Sequence, residues 1–299
     1  MNNRVKEAVM ASFVGDSLAL GVHWIYNTRV IDQKYGRVKG FLAPELAVFH
    51  KGRPKGGFTH YGDQTFLFLK ALSQDGDSKL YFLENWVKLM ESGACYLDEA
   101  SKATLANLVA GLDGDEAGSS STDLGGAARI APLLLLPYES ASELIDAARA
   151  HAGLTHHTES VMEAAGFFAC TARFALDGCE PLKSLELALG ECGGSPELRK
   201  AITDGINSRD TDTRKAIKAF GQQCDITAAL PSTIHLLARY EEDLKEALIE
   251  NAMAGGDSAT RGMLAGLVLG ASQGIGPLPS YWFTEMVHGK ELQKLLDWF

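Results

Sequence analysis

Residues 255–271 read GGDSATRGMLAGLVLGA. Two glycines lead to one acid, Asp257, and then to a run of small and apolar residues in which only Arg261 is charged. Gly262, Gly266 and Gly270 recur every four residues, so on a helix they share one face. A glycine in a helix interior costs roughly 1 kcal/mol relative to alanine, and three on one face need a reason. Close packing of that face against a second helix supplies it. The run is too short to cross a bilayer, which takes about 20 apolar residues. It predicts a buried helix, with Asp257 in the position of an N-cap that accepts from a backbone N–H two or three residues on.

The rest of the chain reads as helix too. Residues 158–176 carry apolar side chains three and four apart, the pattern of an amphipathic helix. The stretches beginning at Ser142, Lys183, Asp212 and Glu241 read the same way, while the period-2 alternation of strands is scarce. Pro181 fits a first helical position, and Ser195 followed by Pro196 fits an N-cap and its first turn. Two segments break the pattern: the Gly- and Pro-rich 35–62 and the acidic, Ser- and Gly-rich 111–126. Loops of this length are usually functional or disordered. No internal repeat or change of composition divides the chain, so the expectation is one all-α domain over 1–299.

Of the 299 residues 46% are hydrophobic and 22% charged, enough for a sizeable core. The net charge of −10 argues against nucleic acid as a partner, since a phosphate backbone selects basic faces. No segment reads as a signal peptide or a membrane span. Five cysteines, an odd number without a CxxC pair, argue against a disulfide framework. The reading is a cytoplasmic protein with reduced thiols and no membrane partner.

Several polar residues sit where chemistry is possible. Asp63 stands before the apolar run 66–72 and reads alone as another N-cap. Asp16 lies inside the apolar segment 14–26, where a carboxylate is costly unless paired; its expected role is to brace another helix end. Thr155 reads as a cap and His156 as a hydrogen-bonded structural histidine. Histidine as a residue type titrates near neutral pH, so His23 and His60 are candidates for an acid or base.

Taken in order, the stretches GDSLALG (15–21), YGDQT (61–65), GGAARIAPLLLL (125–136), LTHHTES (154–160), AFGQQCDITAALPSTIHLL (219–237) and GGDSATRGMLAGLVLGASQGIGPLP (255–279) resemble the ADP-ribosylglycohydrolase family. HWIYN (23–27) and GDSATRG are most similar to the branch that contains the J-type crystallins, relatives found as lens proteins. The resemblance covers most of the chain and implies an all-α fold. It also implies hydrolysis of an N- or O-glycosidic linkage to ADP-ribose, at a cleft where two Mg²⁺ ions are held by a Thr-Asp-Asp cluster and an Asp-x-Asp-Thr cluster. The implied partner is an ADP-ribose-like small molecule or an ADP-ribosylated protein.

Carried over position by position, the first cluster falls on Gly62, Asp63 and Gln64, and the second on Asp257, Ala259 and Thr260. Two carboxylates remain of four. At an effective dielectric of about 20, two divalent ions ~4 Å apart repel by roughly 16 kcal/mol, so the loss of half the neutralising charge bears directly on a two-metal centre. The expectation is at most one Mg²⁺, with Asp63, Gln64, Asp257 and Thr260 as its ligands. Asp63 and Asp257 are the expected catalytic residues. Gly125, Gly126, His156, His23 and His60 are the expected substrate contacts, with Asp16 and His156 as braces. The family's Gly-Asn-Gly element falls on Asp123, Leu124 and Gly125, followed by Arg129 and Pro132, so its Asn is absent and an acid is present. The alternative is an inactive relative that binds a nucleotide-like ligand or serves as a structural protein.

Overall fold

The computed structural model describes residues 3–46 and 48–299. Among them are sixteen α-helices and two short 3-10 turns, and the only β pairings are two isolated bridges, Ser119 with His156 and Asp123 with Asp225. The expected all-α architecture is the one observed.

The small-residue run forms the helix Ser258–Gln273, buried from Ser258 to Ala271. A helix that is apolar all round belongs inside a core. Its closest partner is the opening helix Asn3–Ala19. The two run antiparallel, with Gly262 against Gly15, Gly266 against Ala11, and Gly270 against Ala8 and Ala11. A Cβ on Gly15 would lie 2.1 Å from the Gly262 carbonyl oxygen, and one on Gly266 would lie 2.4 Å from that of Ala11. The glycines are there because backbone meets backbone. The helices Glu159–Leu176, Ile226–Arg239 and Leu244–Met253 close round the pair. Met263, Leu264, Leu267, Val268 and Leu269 are fully buried, each contributing roughly 1.5–3 kcal/mol.

The predicted starts Pro181 and Ser195–Pro196 are both present, and the Ser195 hydroxyl accepts from the Leu198 amide at 3.1 Å. The segment 111–124 is pinned at both ends. Ser119 pairs with the backbone of Thr155 and His157, and the Leu124 and Ile226 amides reach Cys224 and Thr122 across the second bridge. The segment 36–59 folds over the far end of the opening helix, with one 3-10 turn at Val48–His50. All five cysteines are unbridged. No helix among the described residues is long and apolar enough to cross a membrane.

Candidate active site

Two helix starts flank the end of the opening helix. One is the start of His60–Leu72, the other the start of Ser258–Gln273. Between them stands Asp16, fully buried in the opening helix. Its carboxylate accepts from the Thr59 amide at 2.8 Å and the Thr59 hydroxyl at 2.5 Å. Thr59 in turn caps His60–Leu72 by accepting from the Tyr61 amide. Asp16 therefore braces a helix end, as expected. Burial pushes its carboxyl up to about 7 against the two Thr59 hydrogen bonds.

Asp63 is not the N-cap: it lies one turn inside, and Thr59 holds the cap position. Both Asp63 oxygens are taken by Arg53, Nη1 lying 3.2 Å from Oδ1 and Nη2 pairing with Oδ2. Arg53 Nη2 also donates to the Ala94 carbonyl at 2.6 Å. The next residue, Gln64, accepts through Oε1 from Trp86 Nε1 at 2.8 Å and from Arg129 Nη1 at 2.9 Å. With two donors on its oxygen, Gln64 is an anchor for Arg129 and Trp86, which corrects its expected role as a metal ligand. A Cβ on Gly62 would lie 2.2 Å from Asp16 Oδ2, so the hydroxyl residue of the family cluster has no room beside this carboxylate.

The second start is built differently. Gly255 and Gly256 both have positive φ, 64° and 62°, and their Cβ positions would clash with the Ile25 and Gln222 carbonyls at 2.2 Å. Only glycine permits that conformation and approach. Opposite them, Trp24 is the only described non-glycine residue with positive φ, at 64°. A bulky residue there is strained, by on the order of 1–3 kcal/mol. The Trp24 amide donates to Gly256 O at 2.7 Å and the Gly256 amide to Ile25 O at 3.0 Å, which holds the turn in place. Arg261, buried below, ties the turn to Asn251 and the Gly255 carbonyl.

Asp257 occupies the N-cap position without capping. It is fully buried, and neither of its oxygens has a hydrogen-bond partner of good geometry within the protein. The Ser258 and Thr260 hydroxyls beside it are also buried and unpartnered. Burial pushes the Asp257 carboxyl up, while the charge of Arg261 and the nearby Thr260 hydroxyl and amide, which do not reach hydrogen-bond geometry, pull the other way. His23 Nδ1 lies 3.6 Å from Asp257 Oδ1 but accepts from the Ala259 amide at 3.3 Å, so its ring proton sits on the far nitrogen. Burial, then His50 and His60, hold His23 well below the usual histidine range, and the ring is neutral. Ala259 packs with Ala19, Tyr61, Ala128 and Met263 in a small apolar cluster.

An aromatic group joins the two starts. His23 stacks on Trp24 at 4.5 Å, and His50, His60 and Tyr96 surround Trp24. His60 is fully buried, its Nδ1 3.1 Å from His50 Nε2 and its Nε2 3.1 Å from Asp98 Oδ2. Burial opposes ionisation of Asp98, yet His60 holds its carboxyl well below the usual range. Beside this group a cavity of about 380 Å³ is lined by Phe49, His50, Arg53, Cys95 and Tyr96.

The remaining expected contacts are packed. Gly125 lies under the Tyr61 ring and Gly126 under the His156 ring, where Cβ atoms would approach to 2.2 and 2.7 Å. The Gly125 amide donates to Asp123 Oδ1 at 2.7 Å and the Tyr61 hydroxyl to Asp123 Oδ2 at 3.0 Å, so that acid turns inward. Thr155 does not cap Glu159–Leu176: Thr158 holds that position, and the Thr155 hydroxyl meets His156 Nδ1 at 2.9 Å. Burial lowers His156 to about 3. Sequence reasoning missed Arg53, His50 and Asp98. For His50 and Arg53 the only signal was their position in a long Gly- and Pro-rich segment, and Asp98 carried none.

The donor set does not fit a dinuclear metal centre. Gly62 and Ala259 bring no side-chain oxygen, Gln64 has its oxygen occupied, and Asp63 already carries a guanidinium. Of the positions matched to the two clusters, Asp257 and Thr260 keep free, buried oxygens, where Mg²⁺ prefers six.

The ADP-ribosylglycohydrolase family model matches residues 1–299. Crystallin J1A of Tripedalia cystophora is 23% identical, over 97% of this chain and 94% of its own length. Crystallin J1B of the same animal is 22% identical, over 98% and 94%. An uncharacterized protein of Archaeoglobus fulgidus is 23% identical, over 99% and 95%. Among solved structures, an "ADP-ribosylglycohydrolase-related protein complex" superposes with a TM-score of 0.79 at 23% identity, covering 98% of this chain and 95% of that one.

Proposed function

The chain belongs to the ADP-ribosylglycohydrolase family, and we propose that it hydrolyses an ADP-ribose-type N- or O-glycosidic linkage at the Asp257 end of its site. The observation that carries this reading is the group of buried, unpartnered oxygens on Asp257, Ser258 and Thr260. Buried polar groups are normally satisfied, so a helix start that leaves three unsatisfied is arranged for something that binds there. A buried carboxylate with a raised pKa is suited to take a proton from an attacking water. At most one Mg²⁺ would be held, by Asp257 and Thr260, and would supply Lewis-acid polarisation when bound.

An anionic, nucleotide-like ligand has support as well. A cleft of about 670 Å³ is lined by Arg29, Lys215 and Lys218 on an otherwise acidic chain. It also contains Gln222, whose carbonyl accepts from the Asp257 amide at 2.8 Å. The cleft is suited to a diphosphate beside the reacting end.

The test is release of ADP-ribose from arginine- and serine-linked conjugates. The wild type should turn over, and Asp257→Asn should lose about 100-fold or more. Equal rates would remove Asp257 from the reaction. The Arg53 clamp on Asp63 favours a second reading, a relative that binds ADP-ribose without turnover. In that case ADP-ribose raises the melting temperature of the wild type while no conjugate is cleaved.

A further inference from the structure

We propose that Arg53 is a built-in cation: its guanidinium stands on Asp63 where a divalent ion would stand and closes that helix start to metal. The contact is two-pronged, with one nitrogen on each Asp63 oxygen. This fork-on-fork geometry is specific to arginine. It satisfies the whole carboxylate, so a cation could reach Asp63 only by displacing the guanidinium.

Arg53 is held in place. Its second nitrogen is shared with the Ala94 carbonyl, and its amide donates to the His50 carbonyl at 3.1 Å. Gly52 with φ of 91° before it and Pro54 after it shape the turn that carries it. The same turn delivers His50 to His60. The side chains of Arg53 and Asp63 are only 23% and 12% exposed, so the pair is little screened by solvent.

Mn²⁺ binding to the full chain, counted by electron paramagnetic resonance, tests the proposal independently of turnover. Arg53→Ala should bind one more ion per chain than the wild type, or bind an ion about tenfold more tightly. Arg53→Ala combined with Asp63→Asn should return to the wild-type count. A folded Arg53→Ala with wild-type stoichiometry and affinity overturns the proposal. So does a wild-type ion that is lost on Asp63→Asn while Arg53 is present. Should Arg53→Ala fail to fold, Arg53→Gln keeps a donor to Ala94 without the charge, and the absence of an extra ion there overturns the proposal equally.

Discussion

The two helix starts of the site carry one carboxylate each and treat it in opposite ways. At His60–Leu72 the carboxylate and its neighbours are engaged: Thr59 caps, Asp16 braces Thr59, Arg53 grips Asp63, and Gln64 bridges Trp86 and Arg129. At Ser258–Gln273 the carboxylate and both hydroxyls are buried without partners, and the turn above them is strained at Trp24. A satisfied start is a finished piece of protein. An unsatisfied one costs stability, and it persists where function calls for it. On the reading proposed above, the first start is structural and the second is the half that takes a ligand.

The largest effect should come from the packing that supports the second start. Gly15→Val forces side-chain atoms into the Gly262 backbone and should cost more than about 3 kcal/mol, read as loss of the cooperative urea transition. A near-neutral result would mean the two central helices are not in backbone contact. Next in size, Gln64→Leu leaves the Arg129 guanidinium buried beside an alkyl chain. It should cost about 2–3 kcal/mol and leave divalent-ion binding unchanged. A loss of metal binding would return Gln64 to the ligand set.

Smaller again is a pH effect at the first start. Asp16 holds its proton more tightly folded than unfolded, with its carboxyl raised from 3.8 to about 7. Its contribution to stability is full below the unfolded value and is lost as pH rises through the folded one. Urea stability should therefore fall between about pH 4 and pH 7, and Asp16→Asn should remove most of the fall that this group causes. Asp98, held low, works in the opposite direction, so the difference between variant and wild type is the quantity to read. Parallel pH curves would show that Asp16 is not the titrating brace.

Local signals made much of this legible. Helical spacing gave the buried small-residue helix, the Gly-Gly-Asp turn and the class of fold, and a costly acid in an apolar run pointed to Asp16 as a brace. Ala259 and Gly62 were visible as missing ligands. What replaced them was not, because it depends on tertiary contacts. Arg53 reaches Asp63 from a segment without periodicity, and Asp98 reaches His60 from the N-cap of the helix Glu99–Val109. Asp63 and Thr155 were assigned to caps on sequence position, yet Thr59 and Thr158 stand at those positions. Asp257 is the instructive case: it sits at an N-cap and does not cap, a fact that only side-chain geometry reveals.

The contrast between the two starts is tested most directly by replacing each carboxylate with its neutral isostere and measuring unfolding free energy in urea at neutral pH. Asp63→Asn should lose about 2 kcal/mol, because it leaves Arg53 without its counter-charge. Asp257→Asn should change stability by less than about 1 kcal/mol, because the loss of a buried carboxylate without a good hydrogen-bond partner offsets the loss of the charge that faces the buried Arg261. Losses of the same size in both variants would contradict the account.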